Sequence, residues 1–221
     1  MTSPQQLRLR DDEPTVKALM MNLISLKTAV AMLLALAMGS HAARLKASGI
    51  DNCTSFCHGA AAQGFAQAPR LAGQKPHYIA RQLKAFHDHS RDNPLSRQYM
   101  WYATENLRDE TIWTLALQLA ALPATPARDG RPELVTAGRL LFENGSPKNE
   151  IVICAVCHGP QGQGVRDIPR LGGLSYAYLK RRLLEWAEGY HASAAHPMPR
   201  AAKRLSADDI EALASYLSFV E

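Results

Sequence analysis

The apolar positions of this 221-residue chain recur mainly at spacings of three and four, the period of a helix with one buried face. Over residues 76–87, Ile79, Leu83 and Phe86 fall on one side, and over 109–122 Ile112, Leu115, Leu119 and Leu122 do the same. A further helix is predicted at 133–143 from Leu134, Leu141 and Phe142, with Gly138 small enough to let another helix cross close by. The last one begins after Ser206, which stands three residues before Asp209 as in a capping box, and turns Ile210, Leu213 and Leu217 inward with Tyr216 at the edge. Residues 54–60 read as a short turn and helix. Between the second and third long helices, residues 123–132 hold three prolines and a glycine, which break helix and read as a linker. The predicted fold class is all-α.

The four cysteines lie in two clusters, each followed directly by a histidine. Cys154-Ala155-Val156-Cys157-His158 is Cys-x-x-Cys-His, the attachment motif of c-type haem. Each thiol adds across a vinyl group, and the histidine reaches the iron from the same side. The first cluster, Cys53-Thr54-Ser55-Phe56-Cys57-His58, carries one residue more between its cysteines. Its thiols still share a face, because i,i+4 neighbours lie together as i,i+3 neighbours do. Two readings of that spacing stay open: the backbone bulges so that Cys53 and Cys57 both form thioethers, or the haem hangs from Cys57 alone. A local disulfide would not explain the histidine after each pair. A zinc site would need the two distant clusters to converge, and a thioredoxin-like pair would need a strand before it. The cofactors expected are two covalently bound haems c, with their iron.

The clusters belong to an internal repeat. At an offset of 100, His58 matches His158, Pro69-Arg70-Leu71 matches Pro169-Arg170-Leu171, and Gly73, Tyr78 and Leu83 match Gly173, Tyr178 and Leu183. Farther along the offset is 98, pairing Met100 with Met198, Leu107 with Leu205, Ile112 with Ile210 and Leu119 with Leu217. The order Cys-His-Gly, Pro-Arg-Leu-x-Gly, a Tyr-x-x-x-x-Leu helix, a methionine and a closing helix from Leu205-Ser206 to Tyr216 resembles the dihaem cytochromes c4. The resemblance runs from about residue 44 to 221 and is tightest in the second copy. It implies two tandem class I cytochrome c domains, 43–122 and 133–221, joined by the 123–132 linker.

By residue matching, the resemblance further implies axial ligation by His58 with Met100 and by His158 with Met198. A thioether is a soft ligand that favours ferrous iron and raises the potential. Both methionines fall in stretches predicted to be non-helical, seven residues before the leucine that leads into the last helix of each copy. Core packing is the plain alternative for them, with His87 or His89 serving the first iron and His191 or His196 the second. Pro69 and Pro169, eleven residues past the histidines, are placed as in class I cytochromes to accept the imidazole Nδ1–H, which would fix the ring. Both also suit a helix-stopping turn. Arg70 and Arg170 are candidate partners of haem propionates through charge-assisted hydrogen bonds, or else solvated surface residues. Tyr78, Tyr178, Trp101 and Trp186 are candidates for the haem edges or for ordinary aromatic packing.

Each copy spans only about 80–90 residues, a size at which an apolar core is marginal without a staple. The porphyrin would be that staple, so each module is expected to fold poorly without it. Residues 1–42 read as an export leader. Lys27 precedes an apolar run of eleven, 28–38, and Ser40-His41-Ala42 offers small residues for cleavage before Ala43. That run is short against the ~20 residues of a membrane span. The polar lead to Leu19 is long and acidic, so a start at Met20 or Met21 gives a more ordinary leader. Cleavage would put the protein in the periplasm, with about ten residues before Cys53 and hence a stunted first helix in module one. Retention would leave a membrane anchor.

The net charge is +5, of which +1 falls in the leader, and four haem propionates would roughly cancel the rest. The basic balance therefore gives no argument for nucleic-acid binding. Nothing in the pattern calls for an open coordination position or a catalytic residue. The predicted function is single-electron transfer between respiratory complexes. The resemblance implies redox partner proteins: a quinol–cytochrome c reductase or a dehydrogenase upstream and a haem–copper oxidase downstream. The alternatives are a cytochrome subunit of a periplasmic dehydrogenase, a dihaem oxidoreductase with an open haem site, and an anchored scaffold cytochrome. Membrane contact is expected only through partners or an uncleaved anchor.

Overall fold

In the first repeat, α1 (Ile50–Cys53) runs directly into a π-helical turn, Thr54–His58. α2 (Pro76–His87) opens on a proline, whose fixed φ suits a first helical turn, and buries Ile79, Ala80, Leu83 and Phe86. A second π-helical turn, Ser96–Met100, continues into α3 (Trp101–Thr104). α4 (Asp109–Ala121) buries Ile112, Leu115, Ala116 and Leu119, and Asp109 and Glu110 lie in its first turn, where the helix dipole favours negative charge. It stops one residue before Pro123 allows more: Leu122 is extended, as a residue preceding proline tends to be. The computed structural model describes residues 49–65, 68–190 and 197–221. The predicted leader, with its alternative starts at Met20 and Met21, lies outside them, as do His191 and His196.

In the second repeat, a 3-10 turn (Pro132–Leu134) leads into α5 (Val135–Asn144), and another (Pro147–Asn149) precedes α6 (Cys154–His158). α7 (Tyr176–Glu188), α8 (Met198–Ala202) and α9 (Ala207–Phe219) follow. Among the described residues the extended pairings are two isolated bridges, Phe65 with Ala68 and Ser146 with Ile151. The fold is all-α, as the periodicity predicts. Both repeats belong to one compact unit.

Each repeat has its own core. In the first, Ile79 and Leu83 of α2 meet Ile112, Leu115 and Leu119 of α4, and Ile50 and Cys53 pack on them from α1. In the second, Phe142 of α5, Leu179 of α7 and Leu213 and Leu217 of α9 form the centre. The capping box at Ser206 and Asp209 is formed in both directions. Gly138 does let the helices cross: a Cβ there would lie 2.0 Å from the Ala212 carbonyl oxygen on α9. The predicted linker is a strap fastened to the second repeat. Ala127 N–H donates to Gly173 O at 3.1 Å, Arg128 N–H to Ser218 O at 2.9 Å and Gly130 N–H to Ser218 Oγ at 3.0 Å.

One local expectation is overturned. Met100 and Met198 are not in irregular stretches: Met100 closes the π-helical turn 96–100 and Met198 opens α8. Helices of about one turn bury too few residues to leave a periodic signal, and Pro199 in the first turn of α8 is a helix-starting position rather than a break.

Candidate haem sites

In the second repeat, α6 carries the whole attachment motif. Its Cys157 is exposed, Cys154 is half-buried against the second core, and His158 is buried. The ring of His158 lies with Nδ1 3.0 Å from Pro169 O, and that of His58 with Nδ1 2.9 Å from Pro69 O. A carbonyl only accepts, so each Nδ1 carries the proton and donates. The Nε2 lone pair is thereby left for a metal. Burial lowers the pKa of both histidines, against the opposing effect of the proline carbonyl, and so favours the neutral ring that can ligate.

The peptide that supplies each carbonyl is pressed onto the histidine turn. His58 O accepts from Gly64 N–H at 2.7 Å and His158 O from Gly164 N–H at 2.8 Å. Gly164 has φ +74°, and a Cβ on it would come within 2.6 Å of Arg170 N and 2.7 Å of Pro169 C. Only glycine permits both that backbone and that approach.

The extra residue of the first motif is taken up by the π-helical turn Thr54–His58, whose wider i→i+5 ring accommodates one more residue than an α-turn. Thr54 Oγ1 donates to Ile50 O at 3.0 Å, closing the junction with α1. The burial of the cysteine pair then repeats that of the second site: Cys53 packs on the first core while Cys57 is exposed. Burial pushes the Cys154 thiol up to about 11 and also raises Cys53, where Cys57 adds to the effect.

The two sites open into one continuous cavity of about 1380 Å³. All four cysteines, His58, His158, Met100, Met198, Pro69, Pro169, Arg70 and Arg170 line it, with Leu115, Leu119, Leu213 and Leu217 from the two cores. Tyr78, Tyr178 and Trp186 are also on its wall, but Trp101, His87 and His89 are not. Trp101 instead stacks on His89, ring centroids 4.0 Å apart, and donates its indole N–H to Arg91 O at 2.8 Å.

Residues 135–220, nearly all of the second repeat, match the cytochrome c family model. Cytochrome c4 of Thiocapsa roseopersicina is 33% identical over 181 residues, covering 80% of this chain and 90% of that one. The chain belongs to the cytochrome c4 family. The thiosulfate dehydrogenase electron acceptor of Stutzerimonas stutzeri is 36% identical over 170 residues, 74% of this chain and 77% of that protein. The solved cytochrome c4 of Acidithiobacillus ferrooxidans superimposes with a TM-score of 0.68 at 32% identity, over 73% of this chain and 95% of that one. As a cytochrome c4, the protein is a dihaem electron-transfer cytochrome with both haems covalently bound.

The cavity suits that cofactor. Its walls are largely apolar, it holds two pairs of thiols beside histidines whose Nε2 is left for a metal, and Arg170 and Arg91 stand on its wall. Arg170 is 6% exposed, donates from Nη1 to Ala72 O at 3.1 Å, and has no partner for the buried Nη2. Arg91, 8% exposed, donates from Nη1 to Gln82 Oε1 at 2.6 Å and leaves Nε without one. Arg70 differs from its repeat partner: Nε and Nη2 donate to Thr125 O at 3.0 and 2.7 Å, and Nη2 also to Thr125 Oγ1.

Several polar residues at the junction of the repeats escape a reading of the sequence. Asn93 Nδ2 donates to Glu185 Oε1 at 2.9 Å, Arg182 pairs with Glu185, and Arg81 reaches Asp167 at 2.8 Å. The Gln74 side chain bonds the backbone of Arg170. One signal was available. Arg81 and Arg181 stand at the repeat offset, three residues after Tyr78 and Tyr178, and each guanidinium lies over its tyrosine ring, at 5.9 and 5.5 Å.

Proposed function

We propose that this cytochrome c4 is a periplasmic electron carrier in which His58 with Met100 and His158 with Met198 ligate the two irons. Cys53, Cys57, Cys154 and Cys157 form the thioethers, and Pro69 and Pro169 hold the histidine rings. Arg170, on the cavity wall, serves a propionate, and Arg70 braces the 123–132 strap. The domains are 43–122 and 133–221. The observation that carries this reading is that both histidines, both methionines and all four cysteines line one cavity while His87 and His89 do not.

The bound haem iron supplies one-electron redox chemistry. The chain's part would be to saturate it: His58 and His158 would each supply an imidazole and Met100 and Met198 a thioether, a donor set that suits a centre changing only its oxidation state. Thioether ligation and apolar walls both favour the ferrous form and so a high potential. For partners, the named role of the Stutzerimonas relative supports a dehydrogenase as electron donor, and the family resemblance supports a haem–copper oxidase as acceptor.

Optical redox titration of the mature protein tests this. Two one-electron steps are expected, with the weak red charge-transfer band of sulfur-bound ferric haem, and Met198→Ala removes roughly half of that band. Reduced parent protein resists carbon monoxide at neutral pH. Ready binding at one haem would support the alternative, an oxidoreductase or dehydrogenase subunit with an open site.

A further inference from the structure

The peptide bond between Pro169 and Arg170 is held at both ends. Its carbonyl accepts from His158 Nδ1 at 3.0 Å, and its N–H donates to Gln74 Oε1 at 2.7 Å. Gln74 belongs to the first repeat. It is 5% exposed, and its Nε2 donates back to Arg170 O at 2.9 Å, so the amide grips the second repeat by donor and acceptor together. Lys75 N–H shares the same Oε1 at 2.9 Å and fixes its direction.

Hydrogen bonds in a chain polarise one another. An acceptor on the Arg170 N–H draws charge through the peptide toward the Pro169 oxygen, which then accepts more strongly from His158. A histidine whose Nδ1–H is held more strongly is a more electron-rich ligand through Nε2, and such a ligand favours ferric iron. Among the described residues the first site shows no equivalent contact: the residue matching Gln74 at the repeat offset is Leu174, whose side chain cannot accept and packs in the second core.

We infer that Gln74 is a positioning residue that reaches from the first repeat into the support of His158 and holds the potential of the second haem down. This rests on the reading of His158 as a ligand. The two haems of one carrier are therefore made unequal by a single contact between repeats, and loosening that contact raises the second potential selectively.

The test uses the mature dihaem protein, with each wave assigned through the hyperfine-shifted methyl signals of Met100 and Met198. Gln74→Met keeps the side-chain length and removes the amide; the second midpoint rises and the first stays. Gln74→Glu keeps an acceptor on the Arg170 N–H, so the second midpoint stays at or below the parent value. Unmoved midpoints in Gln74→Met, equal movement of both haems, or a rise in both variants would overturn the inference and leave the ligand reading intact. Labelled histidine in the parent separates the two: if His158 shows no hyperfine-shifted ring nitrogen, ligand reading and inference fall together.

Discussion

The residue on which the two repeats differ most in chemistry is Cys53. In the sequence its extra spacing from Cys57 left one thioether or two as open readings. The fold gives the difference a physical form. A π-helical turn absorbs the insertion, and Cys53 packs on its core as Cys154 does on the other. The proposal of two thioethers at the first haem rests on that equivalence. The alkaline pyridine haemochrome of the parent should show both haems with saturated side chains, and Cys53→Ser should shift part of the band to the red, with haem still held by Cys57. A red-shifted parent spectrum would mean that Cys53 is unused. The attachment motif was legible because covalent chemistry demands fixed residue types at fixed spacing. Gln74 and Arg91 were not, since a lone polar residue acquires its role only when the chain brings residue 74 beside residue 170.

Among the elements, the sequence pattern located α2, α4 and α5 within a residue or two of their bounds and the start of α9 after Ser206, whereas α7, as long as α4, was read only as a Tyr-x-x-x-x-Leu helix without bounds. The short helices carrying Met100 and Met198 were missed, because a single turn has no period to detect. The strap at 123–131 was legible as a break but not as a packed segment, for its bonds go to Ser215 and Ser218, far along the chain. The crossing of α5 and α9 was foreseen from Gly138 alone, and it sets the sharpest test at this scale. In Gly138→Ala the new methyl would stand 2.0 Å from the Ala212 carbonyl oxygen and 2.7 Å from Tyr216 Cβ, and neither is the free end of a flexible side chain. The helices must separate, at a cost of about 3 kcal/mol or more. Chemical denaturation of the intact dihaem protein should show that loss in the midpoint. An unchanged midpoint would mean that the two helices are not packed at this distance.

For the molecule as a whole, the two repeats are joined less by surface ion pairs than by what they enclose. Arg81 and Asp167 are each about half exposed, and such pairs contribute about 0–1 kcal/mol. Gln74, Asn93 and Arg170 are buried on the wall of a cavity shared by both sites. An apolar cavity of about 1380 Å³ forfeits the packing contacts of the side chains on its wall. Bound porphyrins would thus complete the core of each repeat and the junction between them. Chain produced without haem attachment, for instance with all four cysteines replaced by alanine, should lose most of its far-UV helical signal and be digested rapidly by protease. Because one cavity serves both sites, replacing only Cys154 and Cys157 should also weaken the first repeat, seen as faster cleavage on its side of the strap. A protease-resistant first repeat in that variant would show instead that the two halves stand independently.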